Sequence, residues 1–177
     1  MNDISHSSHL KTVNDEVDHG FRLVGISADN INFCCARFKG FHQRGANAQF
    51  EPSDIEFKPA DFEIFHIGYI MLLDKFDAPD AKYGTVMARF LHDVQETGIK
   101  TSIDAVSANI DNYGEKIIPS LKYSNYAIMN EIESTATWNL SPRNSDGSIN
   151  RKNIRLAMEK MAEAGVRDKV IVHAKEM

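Results

Sequence analysis

The spacing of apolar residues changes repeatedly along the chain after residue 61, and these changes predict alternating strands and helices. Residues 62–73 form a nearly continuous apolar run, which is typical of a strand that is buried on both faces of a parallel sheet. Between residues 82 and 97 apolar side chains recur at helical spacing, and Gly98 favours an end to that helix. The same criteria predict further strands and helices, namely strands at 100–106, 126–129 and 169–173 and helices at 113–121, 130–138 and 150–164.

This order predicts an α/β fold. Strands that alternate with helices form a mainly parallel, Rossmann-like sheet with right-handed crossovers, and we expect a three-layer α/β/α arrangement. Residues 21–177 are predicted to form one partial α/β domain, with short strands at 21–26 and 31–38 and a helical turn at 52–55 capped by Ser53. Residues 1–20 are polar and without periodicity, and are predicted to be a disordered or loosely attached arm.

Composition narrows the class of partner. The 177 residues carry a net charge of −5 and no basic run, which argues against nucleic acid as a partner. No apolar run approaches the roughly 20 residues that span a bilayer, so no membrane association is expected. The two cysteines, Cys34 and Cys35, are adjacent and do not suggest a framework of disulfides, and we predict a cytoplasmic location.

Polar side chains lie at the ends of three predicted strands: Gln43, Arg44 and Asn47, then Asp104, then Asn130 with Glu133. Ligands of open α/β sheets bind beyond the carboxyl ends of the strands, where such residues would meet. Arginine suits a carboxylate or phosphate, amides and carboxylates suit hydroxyl groups, and a carboxylate could hold a hydrated Mg²⁺. The alternative is that these residues only cap helices and connect loops.

Four segments in the same order resemble the PfkB-type, ribokinase-like carbohydrate kinases. The run Phe41-His42-Gln43-Arg44-Gly45-Ala46-Asn47-Ala48 is similar to the segment after that family's substrate lid. The runs Ile64-Phe65-His66-Ile67-Gly68-Tyr69 and Lys100-Thr101-Ser102-Ile103-Asp104 resemble two of its core strands. Asn130-Glu131-Ile132-Glu133 matches its Asn-x-x-Glu element. The resemblance spans about residues 40–177.

The resemblance implies a kinase that transfers the γ-phosphoryl of ATP to a sugar hydroxyl. Arg44, Asn47 and Asp104 would then bind the substrate, and Asn130 and Glu133 would organise Mg²⁺ and the phosphates without a direct metal ligand. The implied cofactors are ATP and Mg²⁺, and the implied ligand is a small sugar or a sugar acid. Arg44 favours an acidic sugar such as a ketodeoxy acid.

Two of the family's segments have no counterpart in this sequence. Residues 1–40 contain no Gly-Gly substrate segment, and no Gly-Ala-Gly-Asp segment is found, so the catalytic base is expected beyond Met177. We therefore expect a central fragment of a kinase that is inactive as it stands, since loss of a general base alone costs about 10²–10⁴-fold. The alternative is a non-catalytic binding or assembly module that forms a homo- or hetero-oligomer through an exposed sheet edge. An unrelated Rossmann-like nucleotide binder is disfavoured because a glycine-rich phosphate loop is missing.

Overall fold

The computed structural model describes residues 45–56, 62–107 and 112–174, and these residues are built around one four-stranded parallel sheet. Its strands are β1 (Ile64–Ile70), β4 (Lys100–Ala105), β5 (Tyr126–Asn130) and β6 (Lys169–His173). They lie in the order β1-β4-β5-β6, and each pairs in parallel with its neighbour. The predicted arm at 1–20, the predicted strands at 21–26 and 31–38, and Arg44 fall outside the described residues.

Four α-helices connect or follow these strands: α1 (Val86–Glu96), α2 (Tyr113–Leu121), α3 (Glu131–Ala136) and α4 (Arg151–Glu163). Their ends are set by local chemistry. Thr85 accepts the Ala88 N–H at the start of α1, and Asn150 accepts the Asn153 N–H at the start of α4. Gly98, with a φ of 87°, follows the last turn of α1 as the sequence predicts.

One face of the sheet carries the hydrophobic core. The buried strand residues there include Phe65, Ile67, Ile103, Ala127 and Met129. They belong to one apolar cluster with buried residues of three helices, including Phe90, Leu91 and Val94 of α1, Ile117 and Leu121 of α2, and Met161 of α4. Strands that step in one direction through right-handed crossovers place their connecting helices on the same face, which accounts for this arrangement.

The opposite face remains accessible in the described part of the chain. It contains the alternate positions of the four strands, from Ile64 and His66 on β1 to Ile171 and His173 on β6. Of these positions only Ser102 is buried, and Ile171 is 42% exposed. The prediction of an α/β fold with a mainly parallel sheet is confirmed, and helices α1, α2 and α4 contribute buried apolar residues to the core on one of its faces.

Three local predictions differ from the structure. The run at 62–73 does not continue as a strand to its end, because Tyr69 and Met71 adopt positive φ angles of 62° and 92°. Helix α1 starts four residues later than the pattern indicates, because a short antiparallel hairpin of β2 (Pro79–Asp80) and β3 (Gly84–Thr85) precedes it. Ser53 is not a cap, since it lies inside the 3-10 turn Pro52–Asp54 and its hydroxyl donates to Glu51.

No helix among the described residues combines the length and the apolarity that crossing a membrane requires.

Candidate functional site

Asp104 lies near the carboxyl end of β4 and connects that strand to β1. Its Oδ1 accepts the backbone N–H of Tyr69 at 2.6 Å, and its Oδ2 lies 3.6 Å from His66 Nε2. The other ring nitrogen of His66 is 3.0 Å from the hydroxyl of Ser102, so three side chains form a polar ladder on the accessible face. About a third of the Asp104 side chain stays exposed. One carboxylate oxygen therefore holds the backbone of β1 while the other lies beside His66.

The backbone of β1 is distorted where it meets Asp104. The register between β1 and β4 shifts between Ile67 and Ile70, which indicates a bulge or a similar irregularity. Bulges redirect side chains and are common beside active sites. Gly68 permits the close approach, because a Cβ at that position would lie 2.8 Å from Asp104 Oδ1. Tyr69, the next residue, is 57% exposed.

The buried carboxylate of Asp77 stabilises the turn that follows β1. It accepts the backbone N–H groups of Met71 at 3.1 Å and of Leu73 at 3.2 Å. The Asp77 carbonyl in turn accepts a hydrogen bond from Lys116 Nζ at 2.6 Å, which ties the turn to helix α2. The positive φ of Met71 is thus supported by side-chain hydrogen bonds, as distorted backbone near functional sites generally is.

Asn130 and Glu133 form a capping box at the start of α3. The Asn130 side-chain oxygen accepts the N–H groups of Ile132 at 2.9 Å and Glu133 at 2.8 Å. Glu133 Oε2 accepts the Asn130 N–H at 2.9 Å, and its Oε1 accepts the Asn130 amide at 2.7 Å. This reciprocal arrangement satisfies the free N–H groups of the first helical turn. The two side chains therefore cap helix α3, which is the role that the alternative interpretation of the sequence gave them.

Ser107 connects this capping box to the loop that follows β4. Its hydroxyl donates to Glu133 Oε1 at 2.9 Å and accepts the Asn130 amide at 2.9 Å. Tyr113, on helix α2, is 3% exposed, and its hydroxyl donates a hydrogen bond to the Val106 carbonyl in the same loop. Burial, and then the negative charges of Glu133 and Asp104, raise the pKa of Tyr113 well above its usual value. The carboxylates of Asp104 on β4 and Glu133 on α3 thus act on one phenol.

Glu131, the first residue of α3, is also buried but points to a different partner. Its Oε1 accepts a hydrogen bond from Arg143 Nη2 at 3.0 Å, and the Glu131 side chain is 10% exposed. A buried carboxylate needs such a partner, because an unpaired charge there would be costly. The pair fastens the loop after α3 to the carboxyl end of the sheet.

The ladder of Ser102, His66 and Asp104 contains the residue types of a serine hydrolase, but its setting does not suit that chemistry. Ser102 is 5% exposed and lies within a strand that is paired on both sides, opposite His66 and Tyr126. Nucleophilic catalysis needs free N–H groups beside the nucleophile to hold an oxyanion, whereas sheet pairing uses those of a central strand. The ladder therefore forms a polar strip on the sheet, and Ser102 is not placed to act as a nucleophile.

The described residues suit a hydrated cation better than a directly bound one. They contain no group of three or more His, Cys, Asp or Glu side chains that could enclose a metal ion. Both oxygens of Glu133 already accept hydrogen bonds, which leaves outer-sphere contact through water as the role that its geometry fits. The Asp104 side chain is more exposed, at 36%, whereas Glu133 is 7% exposed.

Of the five residues predicted from sequence, the structure brings three to the same edge: Asp104, Asn130 and Glu133. Asn47 lies in the 3-10 helix Gly45–Ala48, and across the described ranges no hydrogen bond joins it to those three. Arg44 is outside the described residues. Sequence reasoning missed Tyr69 and Ser107. Tyr69 lies within an apolar, strand-like run, and the role of Ser107 depends on its contacts with Asn130 and Glu133, which are more than 20 positions away.

No protein-family model, curated protein or solved structure matches this chain.

Proposed function

We propose that this chain forms the sugar-binding part of a ribokinase-like carbohydrate kinase with the three-layer α/β/α architecture of that family. The substrate is a small sugar or sugar acid, and the reaction is transfer of the γ-phosphoryl of ATP to one of its hydroxyls with Mg²⁺. A cytoplasmic location goes with this proposal. The resemblance of four ordered segments to the PfkB-type family supplies the reaction class.

The observation that carries the proposal is the meeting of two polar groups of residues at the carboxyl end of neighbouring parallel strands. Asp104 lies one residue before the end of β4, and the capping box of Asn130 and Glu133 lies where β5 passes into α3, with Ser107 bonded to both of its members. In open α/β sheets this edge is where ligands bind. An accessible carboxylate oxygen, as on Asp104, is a good acceptor for sugar hydroxyls.

The residues divide into two roles. Asp104 binds the sugar, and the resemblance gives Arg44 and Asn47 the same substrate-binding role. Asn130 and Glu133 hold the start of α3 and present a negative charge that orients water around Mg²⁺ near the phosphates. Phosphoryl transfer depends on positioning and on neutralising charge, so a rigid, hydrogen-bonded carboxylate is suited to this second role.

Calorimetric titration with D-fructose, D-ribose and D-gluconate tests the proposal. We expect binding of at least one of these probes, and we expect Asp104→Asn to weaken it about 10–100-fold, because a charge-assisted hydrogen bond becomes a neutral one. The amide oxygen of asparagine can still accept the Tyr69 N–H, so the fold is preserved. Asp168→Asn makes the same chemical change at the other end of the sheet, where Asp168 pairs with Lys100 at 2.7 Å.

Equal losses in Asp104→Asn and Asp168→Asn would show that binding is not located at this edge. No binding of any probe by the wild-type chain would overturn the proposal.

A second function is favoured by one specific observation, the accessible sheet face. Parallel sheets are normally covered on both faces, whereas here only Ser102 is buried among the alternate positions of the second face in the described residues. A binding or assembly module, derived from a sugar kinase, would use this face or the adjoining β6 edge to pair with another polypeptide.

Size-exclusion chromatography with light scattering separates the two functions. The assembly module predicts a defined homo- or hetero-oligomer that persists on dilution, with no binding of sugar. The sugar-binding domain predicts calorimetric binding whatever the oligomeric state.

A further inference from the structure

Two of the exposed large apolar residues lie at the same edge as the candidate site. Tyr69 is 57% exposed at the end of β1, and Ile132 is 49% exposed in the first turn of α3 after β5. Strand β4, with Asp104 near its end, lies between β1 and β5. Two strand spacings separate the outer strands by about 10 Å. In the strand order, Asp104 at the polar centre of this edge is therefore bracketed by Tyr69 on one side and Ile132 on the other.

The backbone conformation at Tyr69 holds this residue in its exposed position. The residue has a φ of 62°, a conformation that tyrosine rarely adopts, and its N–H is held by Asp104 Oδ1 at 2.6 Å. Gly68 beside it leaves room for that carboxylate. An exposed residue in an unfavourable conformation does not contribute to core packing. Its placement therefore points to contact with a ligand.

We propose that Tyr69 is the stacking surface for the ring of a cyclic sugar whose hydroxyls bind Asp104. This inference rests on the proposed sugar-binding function and adds a substrate class to it: ring-form monosaccharides in preference to open-chain polyols. A pyranose or furanose has one face of C–H groups, which packs on an aromatic ring, while its hydroxyls point outward to polar groups. Ile132 closes the opposite side of the bracket.

The sharpest variant is Tyr69→Asn. Asparagine tolerates a positive φ far better than most residues, so this change removes the ring without straining the backbone. Tyr69→Phe keeps the ring and removes only the hydroxyl. Leu156→Asn is the matched control, because Leu156 is also an exposed apolar residue but lies on helix α4.

We expect Tyr69→Asn to weaken D-fructose binding about tenfold in calorimetry, the range that an aromatic contact contributes, and Tyr69→Phe to weaken it less than about threefold. Leu156→Asn should leave the affinity unchanged. D-Sorbitol has hydroxyls but no ring, and its weaker binding should not respond to Tyr69→Asn. Saturation-transfer NMR, irradiating aromatic protons, should label the C–H groups on one face of the sugar in the wild type and lose that pattern in Tyr69→Asn.

The failure of this inference differs from failure of the proposed function. If D-fructose binds and depends on Asp104 but is indifferent to Tyr69→Asn, the stacking role is wrong and the sugar site stands. If the wild-type chain binds none of the probes, both are wrong. Equal loss of D-fructose and D-sorbitol binding in Tyr69→Asn would also overturn the preference for rings.

Discussion

At the scale of single residues, Asp104 is the point on which the candidate site depends. Its position near a strand end could be predicted from the apolar pattern, because the run from Lys100 stops there. Its contacts with Tyr69 and His66 could not, since they join residues 35 and 38 positions apart and require the register of β1 against β4. The importance of Gly68 could not be predicted from the sequence either, because its lack of a side chain matters only where the Asp104 carboxylate approaches it.

Gly68→Ala should destabilise the fold through Asp104. The new Cβ would lie 2.8 Å from Oδ1 and 3.0 Å from Oδ2, a distance at which one of the groups must move, and such overpacking costs about 1–3 kcal/mol. Urea denaturation of Gly68→Ala, Asp104→Ala and the double variant measures the coupling. We expect the double variant to be at least about 1 kcal/mol more stable than additivity predicts, because Asp104→Ala removes the clash.

The matched cycle uses Gly147→Ala, whose Cβ would contact nothing within 4 Å although its φ is 83°. Its cost should add to that of Asp104→Ala without coupling. Coupling of equal size in both cycles would indicate a general loss of cooperativity instead of a local clash.

Tyr113 gives the site a predictable response to alkaline pH. Burial and two nearby carboxylates raise its folded-state pKa, so the folded protein holds the phenolic proton more tightly than the unfolded chain. The resulting contribution to stability is complete below the unfolded pKa of about 10 and is lost as the pH rises from there towards the folded value. Stability should therefore fall above about pH 10.

Tyr113→Phe removes this term and the hydrogen bond to the Val106 carbonyl. We expect a loss of about 1 kcal/mol at pH 8 and a shallower decline between about pH 9.5 and 11 than in the wild type. Urea unfolding of both proteins across this range measures the difference. Parallel declines would show that Tyr113 is not responsible for the pH dependence.

At the scale of elements, the sequence is most informative where local chemistry sets the boundary. The bounds of α2 and β6 follow the apolar pattern, and Asn150 caps α4 at the start of the predicted helix 150–164. The predicted start of α1 is wrong, because Gly84 and Thr85 belong to a hairpin. Their strand conformation depends on pairing with residues 79–80 and is not indicated by the local sequence. For α3, the sequence analysis singled out Asn130 and Glu133, and the structure adds Ser107, which only the approach of β4 to β5 can supply.

Asn130→Ala should lower the free energy of unfolding by more than the loss of an ordinary N-cap residue does. It removes the acceptor for two N–H groups and also the amide that donates to Ser107 and Glu133, so we expect a loss of about 2 kcal/mol. Asn150→Ala removes a single cap contact on α4 and should cost about 1 kcal/mol. Thermal and urea unfolding of both variants compare the two.

Asn130→Asp refines this test, because aspartate retains the capping oxygen but places a second carboxylate against Glu133. We expect Asn130→Asp to be less stable than the wild type at neutral pH and to recover as the pH is lowered and one carboxylate is protonated. A variant as stable as the wild type at neutral pH would show that the Asn130–Glu133 contact is not maintained in solution.

At the scale of the whole molecule, the direction of the strand order has the widest consequence. The sheet progresses from β1 to β6 without reversal, so the described helices pack on one face and the other keeps residues such as Ile128 and Ile171 accessible. Alternation of predicted elements implied a three-layer arrangement, but it could not show which strands would be neighbours. Neighbour order, which arises from tertiary packing, decides how many faces the helices cover.

If this face or the adjoining β6 edge pairs with another polypeptide, a charge introduced on β6 should prevent the pairing. Ile171 is 42% exposed, and covering such a side chain contributes about 1–2 kcal/mol, so Ile171→Lys should weaken association about tenfold or more. Sedimentation equilibrium of the wild-type chain measures association with a second copy of the chain directly. Leu156→Lys places the same charge on an exposed position of α4, away from the sheet, and should leave association unchanged. A wild-type chain that stays monomeric at the highest concentration reached, or a Leu156→Lys variant affected as strongly as Ile171→Lys, would exclude this face from self-association.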